Sequence, residues 1–377
     1  MSLIPRLAFR NLFQDPLRLI ATVVGIGFSM VLVTIQIGLY VSFQNMVTVM
    51  IDHAGADLWI VPRGSKSFED PSWLDEHERF RALSIKGVLE AVPLVVGLGR
   101  WRGPSGSTSP VFIVGADKRD NGLQPWNLVE GSQQSLAVPG AVAIDQSYFD
   151  RLETRRIGES AEINDQSVKV LEITHGIRSF TTMPYVFVSP DLARSLTGTP
   201  PNKASYFIVH LAPGVNAVEI RDKLRARLLD AEVLTPDEFG HRSKKFWVSG
   251  TGAGAALLMG SMLALIVGTV IVAQTLYSST KDHLPEFATL RAIGSSGSYI
   301  VRVIIIQALL SAFIGFCLAA GIGWTVVRAT ADTALPVVMT PAMILMLLLL
   351  TVFMSVLSAI LAIMKVMRID PVMVLTR

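Results

Sequence analysis

The sequence predicts a membrane protein, α-helical, with four transmembrane helices and a large mixed α/β extracytoplasmic domain between the first and second spans. Three observations predict it. First, Leu19–Val41, Gly250–Leu276, Val303–Val327 and Pro341–Met364 are nearly free of charge, in a chain of 377 residues that is 51% hydrophobic. Each reaches the roughly 20 apolar residues needed to cross about 30 Å of hydrocarbon as a helix. Second, only 17% of the residues are charged, against about 25% in an ordinary soluble domain, and the deficit is concentrated in those stretches. Third, the intervening segment shows the short β-branched runs and periodic helices of a folded α/β domain.

Charge sets the orientation. Arg6, Arg10, Arg18, Lys281, Arg291, Arg302, Lys365, Arg368 and Arg377 flank the apolar stretches. The positive-inside rule places those flanks in the cytoplasm. The chain then divides into a cytoplasmic amphipathic N-terminal helix (1–18), a first span (19–41), an outer α/β domain on a helical stalk (42–249) and a second span (250–276). A cytoplasmic loop (277–302), a third span (303–327), a short outer loop (328–340), a fourth span (341–364) and a cytoplasmic tail (365–377) follow. Both termini face the cytoplasm in this reading.

Along the N-terminal helix, Leu3, Ile4, Leu7, Ala8 and Leu12 share one face opposite Arg6 and Arg10, a pattern suited to the membrane surface. Pro16 marks the turn into the first span. The first apolar run is too long for a cleaved leader and reads as an uncleaved anchor. Beyond it, Val41, Phe43, Met46, Val47 and Met50 keep helical spacing, so the helix is expected to continue past the membrane. Lys244–Val248 is expected to lead into the second span in the same way, giving a two-helix stalk.

In the outer domain, strands are expected at Ala56–Val61, Ala91–Trp101, Pro110–Gly115, Ala141–Ile144, Val168–Thr174, Tyr185–Val188 and Ser205–His210. Helices fit Pro71–Leu83, Gln146–Leu152, Pro190–Leu196 and Val218–Leu229, the last with Ile220, Leu224 and Leu228 four apart. Residues 116–204 could form an inserted subdomain. The single cysteine, Cys317, lies in the third span, so the outer domain has no disulfide of its own.

Catalytic chemistry is not written in the chain. It contains no Gly-Lys dipeptide and therefore no Walker A loop to cradle a nucleotide. The six histidines, at 53, 77, 175, 210, 241 and 283, lack metal-ligand spacing. No catalytic residue, cofactor site, metal site or nucleic-acid partner is expected. The spans carry Gln36, Gln274 and Gln307 but no ion, which argues against a proton- or sodium-coupled carrier. Gly250 and Gly254, and Gly315, Ala319 and Gly323, repeat small residues at spacing four, the pattern of close helix packing and of helix-mediated dimers.

Three motifs then resemble the MacB/FtsX-type ABC transporter permeases. Leu7-Ala8-Phe9-Arg10-Asn11-Leu12, with Pro16-Leu17-Arg18 and Gly25-Ile26-Gly27, is similar to the opening of that family. Glu286-Phe287-Ala288-Thr289-Leu290-Arg291-Ala292-Ile293-Gly294 is similar to its cytoplasmic loop, and Ile369-Asp370-Pro371-Val372 to its terminus. Apart from Gly25-Ile26-Gly27 at the start of the first span, all three fall in segments assigned to the cytoplasm, and the four-span layout matches too. Gln36-Ile37-Gly38-Leu39, Ala56-Asp57-Leu58-Trp59 and Gln274-Thr275-Leu276-Tyr277 look most like the DevC branch, whose members carry no ATPase domain.

The resemblance implies a type VII, mechanotransmission permease in a bacterial inner membrane, with its α/β domain in the periplasm. It implies a separate ABC ATPase subunit that binds the ATP, a periplasmic adaptor (membrane fusion protein), an outer-membrane channel and a homodimer. Membrane lipids surround it, and the cargo is a lipid, glycolipid or other periplasmic or outer-leaflet molecule. Glu286, Phe287, Leu290, Arg291, Ala292, Ile293 and Gly294 would then form the ATPase-coupling loop. FtsX-like signalling to a periplasmic partner and LolC/LolE-like lipoprotein extraction share the architecture and stand as alternatives.

Overall fold

The computed structural model describes residues 9–10, 12–14, 16–116, 121–132, 134–282, 289 and 296–366. It divides into two compact units. One holds residues up to Val41, Ala256–Ala331 and the chain from Pro336; the other holds Ser42–Ala255 with Asp332–Leu335.

The first helix, α1, runs without interruption over Pro16–His53, about 57 Å at 1.5 Å per residue. No proline follows Pro16 within it, and its polar side chains are absorbed locally. Ser29 Oγ donates to Gly25 O at 2.8 Å and Thr34 Oγ1 to Met30 O at 2.7 Å, which satisfies both hydroxyls inside an apolar span. The expected continuation of the first span is therefore present, and the helix ends on His53, whose ring stacks on Trp126 at 4.0 Å.

In the α/β unit the chain passes through β1 (Leu58–Pro62), β2 (Leu74–Asp75), α2 (Glu76–Leu83), β3 (Val88–Arg102), β4 (Thr108–Gly115), β5 (Leu128–Glu130) and β6 (Ala141–Asp145). It continues through α3 (Phe149–Leu152), β7 (Ser160–Ile163), β8 (Gln166–Thr174), β9 (Tyr185–Val188), α4 (Pro190–Thr197), β10 (Lys203–Ala204) and β11 (Tyr206–Leu211). The unit closes with α5 (Ala217–Arg227), β12 (Ala231–Leu234) and α6 (Pro236–Lys245). Ten strands form one mixed sheet in the order β12-β1-β11-β3-β4-β9-β6-β8-β5, with β7 against β3 and β8. Strands within residues 116–204 pair with strands outside that range: β9 lies parallel to β4, with Phe112 opposite Tyr185 and Gly115 opposite Val188. A parallel neighbour requires a long crossover, which the intervening residues supply.

Strict alternation along the strands sends side chains to two faces. Trp59, Val61, Leu94, Val96, Phe112, Val114, Tyr185, Phe187, Tyr206 and Ile208 pack together on one face, where Met50 and Ile51 of α1 and Phe239 of α6 cover them. On the other face, Leu58, Ile60, Phe207 and Val209 meet Ile220 and Leu224 of α5. Beside them Val95, Ile113, Val142 and Val186 meet Leu152 of α3 and Ala193 and Leu196 of α4. The sheet is thus the middle of three layers. Each large apolar side chain buried there contributes about 1.5–3 kcal/mol.

Helix starts follow local chemistry. Asp75 caps α2 by accepting from His77 N at 3.0 Å. Pro71–Asp75, expected as helix, is instead loop and the short β2, because this cap defines the first turn at Glu76. Thr235 and Glu238 form a capping box at the start of α6, with Pro236 in the first turn.

The membrane unit adds α7 (Gly252–Asp282), α8 (Gly297–Thr330) and α9 (Pro341–Val366) to the first part of α1. These four helices are long and apolar enough to cross a membrane, with mean hydropathies of 2.1, 2.4, 2.5 and 2.7 over 18-residue stretches of α1, α7, α8 and α9. Ile26, Met30, Val272, Val303, Ile304, Ala308, Ala319 and Met354 form their common core.

Candidate functional site

The residues that join the α/β unit to the spans form the candidate site, and they begin with side chains near the end of α1. Phe43, Met46, Val47, Met50 and Ile51 are buried. α6 lies against this stretch at Gly240, where a Cβ would stand 3.2 Å from Thr48 Cγ2. Phe180, in the loop between β8 and β9, ties the two approaches together. Its ring meets Phe43 edge-on at 5.3 Å and Trp247 edge-on at 4.6 Å. The end of α1 and α6 thus pack as a pair, bridged by an aromatic side chain from the β8–β9 loop, but the second helix does not lead unbroken into the second span as expected.

Trp247 sits in a single π turn, Phe246–Gly250, that continues α6. The helix then breaks: Thr251 is extended, at φ −118° and ψ 154°, and α7 starts at Gly252. π turns are common at functional positions, because the extra residue widens the helix and aims side chains off its regular faces.

Behind Trp247 lies a buried polar cluster. Tyr185 Oη donates to Glu69 Oε1 at 2.9 Å, and Tyr206 Oη donates to the Ser67 and Phe68 carbonyls at 3.2 and 3.1 Å. Glu69 as a residue is half-buried, but its Oε2 is sealed from solvent and has no hydrogen-bond partner. Burial raises its pKa from 4.5 to about 7; the Tyr185, Ser67 and Trp247 side chains oppose that rise. Neither Ser67 Oγ nor Trp247 Nε1 closes a hydrogen bond of ordinary geometry. The phenol of Tyr185 is pushed well up by its own burial and by the neighbouring carboxylate.

The small residues singled out for helix packing occupy two settings. Gly250 and Gly254 lie on either side of the Thr251 break, so they do not share a helix face. A Cβ on Gly254 would stand 2.3 Å from Val248 Cα and 2.6 Å from Trp247 O, while Gly250 faces the Phe246 ring. Gly254 is needed where α7 folds back on its own π turn. Gly315, Ala319 and Gly323 belong to a seam with α1. A Cβ on Gly315 would meet Ile26 at 2.6 Å, one on Gly323 would meet Thr34 at 3.3 Å, and Ala319 is buried.

Eight residues along α8 thus match eight along α1 in the same sense, so these two helices run parallel. Gly260 faces Gln36, Gly268 faces Ser29 and Val33, and Gly25 faces Thr275. α7 therefore runs antiparallel to α1, as consecutive spans must. The residues expected to form the coupling loop (Glu286, Phe287, Leu290, Arg291, Ala292, Ile293 and Gly294) lie outside the described residues, as do most of the N-terminal helix and the Asp370-Pro371 terminus.

No cluster of three metal-ligating side chains occurs among the described residues. Sequence reasoning missed Glu69, Phe180 and Trp247. The Phe246-Trp247 pair just before an apolar stretch was the one available signal, since aromatic residues mark membrane interfaces.

Four helices long and apolar enough to cross a membrane, with an α/β domain between the first two, mark a multi-pass membrane protein. The MacB-like periplasmic core domain model matches residues 19–227, and the FtsX-like permease C-terminal model matches residues 258–371. The chain belongs to this MacB/FtsX-like family of ABC transporter permeases. It is 24% identical over 341 residues to an uncharacterized ABC transporter permease of Mycobacterium tuberculosis strain H37Rv, covering 89% of this chain and 88% of the relative. The counterpart in strain CDC 1551 / Oshkosh matches to the same extent.

Among solved structures, the periplasmic region of MacB from Actinobacillus actinomycetemcomitans is similar at 12% identity and a TM-score of 0.36. The match covers 50% of this chain and 92% of that one. The extracellular domain of the noncanonic ABC-type transporter YknZ from Gram-positive bacteria is similar at 14% identity and a TM-score of 0.33, covering 48% and 99%.

Proposed function

We propose that the chain is the membrane subunit of an ATP-driven mechanical exporter. A separate ATPase docks on the 277–302 loop, and its closure is carried along α1 into the α/β domain. Two copies act together in a bacterial inner membrane with their termini in the cytoplasm. An adaptor and an outer-membrane channel receive a lipid, glycolipid or other cargo taken from the periplasm or the outer leaflet.

The observation that carries this reading is the continuity of α1. One helix extends from the apolar span to Met50 and Ile51, each 1% exposed in the core of the sheet. An unbroken helix transmits displacement along its axis, whereas a loop would dissipate it. The absence of ions from the apolar stretches supports an energy source outside the spans.

The test softens α1 where the two units meet. Val41→Gly with Ser42→Gly costs about 0.5 kcal/mol of helix propensity per residue, since Val and Ser are already poorer helix formers than Ala, and frees the backbone at the junction. ATPase binding is expected to persist, while transport and its link to ATP hydrolysis fall together in proteoliposomes. Unchanged transport would show that α1 is not the transmitting element.

A further inference from the structure

We infer that the α/β unit carries a seat for the phosphate of an acidic membrane lipid, in the groove between the Gly64–Lys66 turn and the end of α6. The groove is open, about 500 Å³, and lined by Gly64, Ser65, Lys66, Arg242, Lys245, Phe246, Ser249 and Gly250. Three cations converge there. Arg242 is engaged by Glu232 at 2.6 Å and reaches Ser65 O at 3.4 Å. Glu232 also accepts from Gly64 N at 2.9 Å, and it stays ionised because its pKa is lowered. Lys66 and Lys245 are exposed, and neither pairs with a carboxylate among the described residues. One carboxylate thus faces three cations, leaving an uncompensated positive charge. Ser65 itself is buried, and its hydroxyl is taken up by the Tyr206 side chain rather than by the groove.

The occupant follows from chemistry and chain connectivity. Gly250 is two residues from Gly252, the start of a 24-residue apolar span, so it lies within about 7 Å of where that span begins. A soluble phosphate needs no such placement, but a lipid headgroup is found there. The Phe246 ring, under Lys66 Nζ at 5.3 Å, gives the groove an apolar side for the glycerol and upper acyl region, as aromatic residues do at bilayer interfaces. Lysines near an acidic membrane each contribute about fivefold in affinity. The two free ones should therefore contribute about thirtyfold together. The seat is independent of the coupling to an ATPase and stands or falls without it.

The experiment uses the full chain in nanodiscs of phosphatidylcholine alone or of phosphatidylcholine and phosphatidylglycerol in equal parts. Native mass spectrometry reads retained phosphatidylglycerol. Lys66→Gln with Lys245→Gln is expected to lower retention about thirtyfold. Lys66→Arg with Lys245→Arg should keep it, which shows that the variants fold. Lys86→Gln with Lys169→Gln, the same charge change at exposed lysines outside the groove, should also keep it. Equal retention by the two glutamine pairs would overturn the proposal. So would displacement of the lipid by soluble glycerol phosphate at matched concentration, which would make the groove a free-phosphate site.

Discussion

Gly315 of α8 lies directly against Ile26 of α1: a Cβ at position 315 would stand 2.6 Å from Ile26 Cγ2 and 2.9 Å from Ile26 Cβ. The fit is reciprocal, since a Cβ on Gly27 would reach Leu318 Cδ2 at 2.8 Å. Gly315→Leu should therefore force the two helices apart within one chain. Overpacking of this kind costs about 1–3 kcal/mol. The expected outcome is a lower Tm in detergent that does not depend on protein concentration. A concentration-dependent loss would instead place Gly315 between copies.

The two glycines at the start of α7 should respond in opposite ways. A Cβ on Gly252 meets nothing within 4 Å, whereas one on Gly254 collides with the backbone of Val248. Gly252→Ala should be neutral or slightly stabilising through reduced chain entropy. Gly254→Ala should cost about 1–3 kcal/mol by opening the fold-back onto the π turn. Thermal melts of the two variants side by side provide the check, and equal melts would remove the fold-back from the argument.

Protonation of Glu69 should be visible in the pH dependence of stability. Its pKa is raised from 4.5 to about 7 in the folded chain. The folded state therefore holds this proton more tightly than the unfolded one. The stability it contributes is fully present below about pH 4.5 and is lost as pH rises through about 7, a total of about 3 kcal/mol by linkage. Glu69→Gln should flatten that window and raise the Tm at about pH 8, where the buried carboxylate costs most. A variant with the wild-type pH slope would show that another group titrates.

Phe180 bridges Phe43 and Trp247, so Phe180→Ala should cost about 3 kcal/mol, including the two edge-on ring contacts at about 0.5–1.5 kcal/mol each. Limited proteolysis near residues 246–251 should accelerate, because the π turn loses its lateral support. Unaltered cleavage with a lowered Tm would mean that the bridge stabilises the sheet alone.

In the loop proposed to dock the ATPase, Leu290→Asp should weaken binding of the partner more than Glu286→Ala. An exposed charge pair contributes about 0–1 kcal/mol, whereas burying an apolar anchor contributes about 1.5–3 kcal/mol. Pull-down of the ATPase at equal expression compares them. Full binding by Leu290→Asp would move the docking surface elsewhere.

The helices and central strands were legible because their physics is local. Twenty-residue apolar runs have one stable form in lipid, and Tyr185–Val188 and Pro190–Thr197 carry their own boundary residues. Short edge strands such as Leu128–Glu130 and Ala231–Leu234 escaped notice, because their extended form comes from a long-range neighbour more than from their own composition. α6 was missed although Thr235-Pro236-Asp237-Glu238 spells a capping box, since its polar face hid the period. The cluster around Glu69 left no trace in sequence: a lone carboxylate becomes unusual only when Tyr185, more than a hundred residues away, is folded onto it.

The ends of the sheet limit how other proteins can recognise this one. Its outermost strands have three and four residues, Leu128–Glu130 and Ala231–Leu234. Edges so short offer a visiting strand few backbone donors and acceptors. Whatever assembles on this domain has to read side chains, and side-chain surfaces change one substitution at a time. The scaffold can therefore stay fixed while its choice of companion drifts.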